Sequence, residues 1–307
     1  MTLRLVYRCY RGENLKGRPA FYSKHLCLAS FLRAAEVADA DVAFLNDGPL
    51  PPEMVELMRR RGEIVALAEG PIGMRGSYRA AIELPRTRRW SDDDLAYFCE
   101  DDYLHAPTAF TELSLAAEKI PTAHYFALYG STPTHPALGP ELPLTFPPGW
   151  KHRPNAEVDG HRWVNVPSTA STFGARVGTL LEDLGIFRQG MLPYRTRLLD
   201  HETCLVYQGQ LPYTGAEIFV GPAATRFRSG LRAVAANAVL TPFRVAFELR
   251  ALARRRDPHL LYAADPNLAC HLETAFMSPG VDWADEARLA SEWSAGMGWP
   301  IPARETG

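Results

Sequence analysis

The chain has no run of about 18 apolar residues, so no membrane-spanning helix is expected. It has five cysteines, Cys9, Cys27, Cys99, Cys204 and Cys270, odd in number, scattered and without a C-x-x-C pair. That pattern argues against a disulfide framework and a cysteine zinc site, and suits buried free thiols in a reducing cytosol. Charge of one sign is not in surplus either: 33 Lys and Arg stand against 35 Asp and Glu, a net of -2. A dedicated nucleic-acid binder needs a basic excess, so no nucleic-acid partner is expected. The opening Met1 to Arg8 lacks the apolar stretch and cleavage site of a signal peptide, which leads to the expectation of a cytoplasmic protein. No G-x-G-x-x-G follows the first strand-like segment, and neither G-x-x-x-x-G-K-[ST] nor G-x-S-x-G occurs. Dinucleotide oxidoreductases, P-loop NTPases and ordinary α/β-hydrolases are therefore disfavoured.

What is present is a globular composition, 47% hydrophobic and 22% charged, over 307 residues. That length makes one large domain or two modest ones. The first half alternates strand and helix patterns. Strands are expected at Leu3 to Tyr10, Asp41 to Asn46, Glu63 to Ala68 and Leu95 to Cys99. Helices are expected at Ser23 to Glu36, Pro51 to Arg61, Gly76 to Leu84 and Pro107 to Lys119. Such alternation implies an α/β fold, a mostly parallel central sheet flanked by helices. Seven prolines between Thr132 and Pro154 forbid regular structure there and mark a long loop. Later segments read as a strand at His161 to Pro167, a helix at Phe173 to Leu184, a helix starting near Asp200, and helix from Phe227 to Arg256 interrupted by Pro242.

The strongest chemical signal is Phe98-Cys99-Glu100-Asp101-Asp102, an apolar strand running into three acids. In an open parallel sheet, ligands bind outside the carboxyl ends of the strands. Acids there can hold a hard divalent cation through oxygen, with water and phosphate in its other positions. A second acidic run, Asp92-Asp93-Asp94, precedes the same strand, belongs to the opposite edge and reads as a solvated turn.

The acid triplet resembles the D-x-D motif of nucleotide-sugar glycosyltransferases with the A-type fold, a family-2-like pattern. Motif order extends the resemblance over most of the chain. Asn46-Asp47-Gly48 follows the second strand, and Gly73-Met74-Arg75-Gly76-Ser77-Tyr78-Arg79 precedes the acidic strand. The resemblance implies Asp102 as main ligand of Mn²⁺ or Mg²⁺, with Glu100 and Asp101 beside the donor. It implies His271 as a further metal ligand by chain order. Arg79, then Arg75, would neutralise the donor diphosphate; an arginine at a helix start also suits phosphate on physical grounds. Arg8, Tyr10 and Arg11 after the first strand, and Asp47, would line the donor's base and ribose. Leu198 to Leu205 loosely resembles the segment carrying the acceptor base, which places Glu202, or alternatively Asp200, in that role. Here His201 stands where the family has an acid. Both acids also suit a helix start. Ser171 or Thr172 would reach donor or acceptor hydroxyls, although capping explains them as well.

The implied activity is metal-dependent transfer of a sugar from a nucleoside-diphosphate donor to a hydroxyl acceptor. Two alternatives stand beside it: a sugar-phosphate nucleotidyltransferase, and a non-catalytic glycosyltransferase-like scaffold. The expected organisation is a core over 1–220, divided at about 105 into donor and acceptor halves, and a helical C-terminal extension over 221–307. The basic and apolar stretch from Phe227 to Arg256 either packs on the core or rests on a membrane surface. Its apolar positions would also suit a homodimer.

Overall fold

Strand β1 (Leu3–Tyr10) shows how the sheet is built. Its Leu3, Leu5, Tyr7 and Cys9 face one layer of the core and Val6 the other. That is the two-residue alternation of a strand buried on both faces. The computed structural model describes residues 1–12, 17–67, 71–130, 146–147, 150, 153–192, 198–221 and 231–301. Most of the proline-rich stretch at 132–154 lies outside the described residues.

After β1 come α1 (Lys24–Val37), β2 (Asp41–Asp47), α2 (Pro52–Arg61), β3 (Glu63–Val65), α3 (Gly73–Arg88) and β4 (Leu95–Glu100). Each of these was anticipated by periodicity, with shifted ends. Helix α1 starts where the Ser23 side chain accepts a hydrogen bond from the Leu26 N–H at 3.1 Å. Then follow β5 (Tyr103–His105), α4 (Ala109–Lys119), β6 (Ala123–Ala127), β7 (Ala156–Val158), β8 (His161–Asn165), β9 (Phe173–Arg176), α5 (Val177–Gly190), α6 (Asp200–Tyr207) and α7 (Gly215–Val220). The chain continues through α8 (Leu231–Arg254), β10 (Leu260–Asp265), β11 (Ala269–His271) and α9 (Trp283–Gly296).

Nine strands form one sheet in the order β3-β2-β1-β4-β9-β6-β10-β8-β7. Pairs β1–β2, β2–β3, β1–β4 and β6–β10 are parallel, while β8 and β9 run against their neighbours. One face packs on α1, α2 and α4 through residues such as Phe31, Met58 and Phe110. The other packs on α3, α5, α6 and α8 through Tyr78, Leu180, Cys204 and Phe247. The fold is thus a mixed α/β sheet flanked by helices, as expected.

Strand order reverses between β1 and β4: β2 and β3 lie to one side, and the chain then crosses back to place β4 on the other. A crevice opens at the carboxyl ends of the two strands at such a point. The triplet at 100–102 lies there, because β4 ends at Glu100. Asp94 lies at the other edge, where its carboxylate accepts from the Thr2 N–H at 2.8 Å and from Arg4 at 3.4 Å. It is buried and pins the start of β1 to β4, which corrects its reading as part of a solvated turn.

Two further expectations change. Phe173 to Arg176 is a strand, not the start of a helix, and it fills the gap between β4 and β6. Small Gly174 and Ala175 let it pass between flanking strands under Leu113 and Phe126. The region after 220 is helical in α8 and α9, but it also returns β10 to the middle of the sheet and β11 to pair with β5. All five cysteines are free and buried, and no described helix is long and apolar enough to cross a membrane.

On the α5 side, buried Asp183 ties four elements together. It accepts from Tyr125 Oη on β6 at 2.9 Å, from Arg254 on α8 at 2.6 and 3.1 Å, and pairs with His259 Nδ1, just before β10, at 2.7 Å. Removing one member leaves the others buried without a counter-charge. Asp183→Ala is expected to cost about 3–5 kcal/mol in urea unfolding. In the Arg254→Met background it should cost clearly less.

Candidate functional site

The carboxyl ends of β1, β2 and β4 and the start of α3 enclose a cavity of about 630 Å³. Of the residues singled out in the sequence, Arg8, Tyr10, Asp47, Glu100, Asp101 and Asp102 line it. Gly73, Met74 and Ser77 of α3 complete that side, and Arg18, Tyr22 and Lys24 close the other.

Each acid of the triplet meets its own cation. Glu100 Oε1 accepts from Arg8 Nη2 at 2.8 Å, Asp101 Oδ2 from Lys24 Nζ at 2.6 Å, and Asp102 Oδ2 from Arg18 Nη2 at 3.0 Å. Alternation along β1 and β4 sends Arg8 and Glu100 to the α3 face, where Arg8 stacks on the Tyr78 ring at 5.1 Å. Asp101 turns instead toward the end of β1 and also accepts from the Tyr10 N–H at 2.8 Å. Arg18 is fixed by a bond to the Leu272 carbonyl at 2.7 Å and by the Tyr22 ring at 4.4 Å. Arg18 and Lys24 were not singled out in the sequence. Lys24 stands in the first turn of α1, where nothing in the sequence separates it from a solvated helix lysine, and Arg18 acquires its role only when β11 arrives.

The antiparallel β5–β11 pair sets Tyr103 opposite His271. It brings His271 Nε2 to 3.0 Å from Asp102 Oδ2 across 169 residues of chain. The imidazole stacks on Tyr103 at 5.0 Å, which fixes its plane. Burial works against ionisation of Asp102, but the hydrogen bonds and charges of His271 and Arg18 outweigh it and hold the carboxyl down to about 2. The buried Oδ1 of Asp102 has no hydrogen-bond partner. An anionic oxygen beside an imidazole nitrogen is a donor set that Mn²⁺ accepts and Mg²⁺ tolerates. No group of three His, Cys, Asp or Glu side chains suited to a metal occurs among the described residues. A cation held here would therefore draw its remaining ligands from water and a phosphate. Arg18 is a fixed positive charge beside the same carboxylate and competes with it.

Other expected residues fall at varying distances. Asp47 is buried: its Oδ1 accepts from the Ile72 N–H at 2.6 Å just before α3, and Oδ2 has no partner. Tyr10 is 47% exposed at the rim, with Lys24 Nζ 5.4 Å from its ring. Arg11 is exposed, and its side chain lies over Gly48 rather than in the cavity. Arg75 is half-buried in the first turn of α3 and does not line the cavity. Arg79 is turned to solvent and paired with Glu83 at 3.1 Å, so α3 does not carry it to the acids. Its helical position explains this: two residues past Ser77, it lies on the opposite side of the helix.

On the far side of Tyr78, Asp200 lines a water-sized cavity with Thr169, Thr203 and Cys204. Burial, and then the charge of Asp200, push the Tyr78 hydroxyl well up. Glu202 is buried and lines neither cavity. Ser171 and Thr172 do not cap a helix. Ser171 Oγ donates to Glu100 Oε2 at 2.8 Å, and Thr172 Oγ1 accepts from the Glu100 N–H at 3.2 Å, which seats the first acid.

No family model matches this chain, and no curated protein matches it. Among solved structures, the crystal structure of S. aureus TarS 1-349 aligns with a TM-score of 0.41 at 12% identity. The alignment covers 67% of this chain and 54% of that one, so this chain spans about half the length of that structure. A likeness at that level says nothing of activity.

Because the folded Asp102 titrates below its ordinary 3.8, its contribution to stability is fully present above about pH 4 and is lost as pH falls toward 2. Asp102→Asn leaves Arg18 without its counter-charge and is expected to cost about 3 kcal/mol at neutral pH. Unfolding of both proteins across pH should show that gap closing between about pH 4 and pH 2.

Proposed function

We propose that the chain is a glycosyltransferase of the A-type kind, moving a sugar from a nucleoside-diphosphate donor to a hydroxyl acceptor. One observation carries the reading: Asp102, which lines a cavity together with Arg8, Arg18 and Lys24, is met from behind by His271 at 3.0 Å. This happens at the point where the strand order reverses. An anionic ligand with an attached sugar suits that combination of fixed cations and half-buried acids.

The donor diphosphate would lie against Arg8, Arg18 and Lys24, whose charges oppose the negative charge that grows on the leaving diphosphate. Tyr10 offers an exposed ring for the base, and the unpartnered Oδ2 of Asp47 an acceptor for a base or ribose donor. Asp102 and His271 would hold Mn²⁺ or Mg²⁺. When bound, that ion supplies further charge neutralisation on the diphosphate. Glu100, seated by Ser171 and Thr172, orients Arg8 toward the cavity. For inverting transfer a carboxylate must take the proton of the acceptor hydroxyl. Asp200 takes this role before Glu202, since it lines a cavity beside Tyr78, on whose ring Arg8 stacks, whereas Glu202 lines neither cavity.

Calorimetric titration of UDP and GDP, with and without Mn²⁺, tests this. The expected result is metal-enhanced binding of one nucleotide, lost in Asp102→Ala and weakened at least about tenfold in His271→Ala. Folded protein that binds no nucleoside diphosphate under either condition would remove the donor site and the transferase with it.

A further inference from the structure

Helix α8 is apolar on two sides, and the sheet uses only one of them. Phe247 and Ala251 are buried against the core, with Leu240 and Phe243 partly buried beside them. Arg244 and Glu248 on that side are buried too, and Glu248 accepts from the Tyr213 N–H at 2.9 Å. The opposite stripe runs Val239, Pro242, Val245, Leu249 and Leu252, at spacings of three and four that keep one helical face. All five are exposed, Val239 to 76% and Leu249 to 61%. The adjoining α7 adds exposed Phe219 and Val220, at 65% and 43%. A helix of one packed face would be polar on this stripe, and α8 is not.

Charge on the stripe has one sign. Exposed Arg250, whose guanidinium lies over Gly185 of α5, and exposed Arg256, just past the end of α8, border its C-terminal half; among the described residues neither forms an ion pair, whereas the charge of Arg255 acts on Glu248 on the buried side. The acids near this end are exposed Asp257 and Glu182, and Glu182 faces Arg254 at 3.5 Å. Among the described residues of α8 the one acid is Glu248, on the buried side.

We propose that this stripe is a seat for an anionic lipid bilayer. Val239, Val245, Leu249 and Leu252, with Phe219, would enter the headgroup boundary, and Arg250 and Arg256 would meet the lipid phosphates. Exposed aliphatic and aromatic side chains bordered by arginines are what such an interface takes up. A second copy of the chain fits less well. A self-paired stripe would bury Arg250 and Arg256 against a largely apolar surface, with Asp257 at its edge as the nearby acid on α8's C-terminal side. The proposal does not depend on the transferase reading, since the stripe lies apart from the residues lining the cavity.

Vesicle flotation at low salt tests it, using phosphatidylcholine alone and phosphatidylcholine with phosphatidylglycerol in equal parts. The full chain is expected to float with the mixed vesicles, much less with the neutral ones, and to be released by salt. Leu249→Asp with Val245→Asp should abolish flotation. Arg250→Gln with Arg256→Gln should weaken it by about fivefold per arginine removed. Because all four sites are exposed, an unchanged urea midpoint identifies each loss as a surface effect. Absence of flotation with the mixed vesicles overturns the proposal, and so does flotation that both double variants leave intact. A dimer in light scattering that dissolves in Leu249→Asp, without flotation, would give the stripe to a second copy instead.

Discussion

Three adjacent carboxylates at the end of a buried strand repel one another, and the architecture around the cavity answers that constraint. Water alone does not screen them, since Asp102 is buried and its neighbours are partly covered. The chain brings each a cation from a different place: Arg8 from β1, Lys24 from α1 and Arg18 from the segment between them. Those partners in turn dictate local structure. Lys24 Nζ also bonds the Gly12 carbonyl at 2.7 Å, drawing the end of β1 toward α1, and Arg18 bonds the carbonyl beside β11. The acids therefore organise the cavity walls as well as its charge.

Much of this was legible in the sequence because it follows from periodicity. β1, α1, β2, α2 and β4 carry strong two-residue or helical patterns, and parallel topology then places Asp47 and the 100–102 acids at one edge. That His271 would come near Asp102 was implied by the family resemblance through its place in the chain. Less legible were short strands whose identity comes from their neighbours. Residues 173–176 look helical in isolation and become a strand because a gap between β4 and β6 needs one. The same holds for Ser171 and Thr172, whose hydroxyls look like caps until Glu100 is seen beside them.

Arg79 and Arg18 are complementary lessons. Arg79 stands in a stretch that also carries the resemblance, yet its helical phase gives it to Glu83. Arg18 stands in an unremarkable loop, yet tertiary structure gives it to Asp102. Spacing along a chain predicts which residues share a face of one element. It says little about which loop side chain will arrive from elsewhere.

The placement of β10 and β11 bears on how the molecule is made. The amino-terminal strands β1 to β4 can pair as soon as they exist, since their partners lie within the first hundred residues. The sheet stays open beyond β6 until residues 260–265 supply β10, and β8 with β7 can join only through it. His271 arrives just after. During synthesis the acids and their nearby cations would be assembled early, while the imidazole and the edge of the sheet wait for residues beyond 260. Such long-range closure is slow relative to local pairing. A ribosome-bound chain halted before residue 260 would carry an open strand edge and half a site.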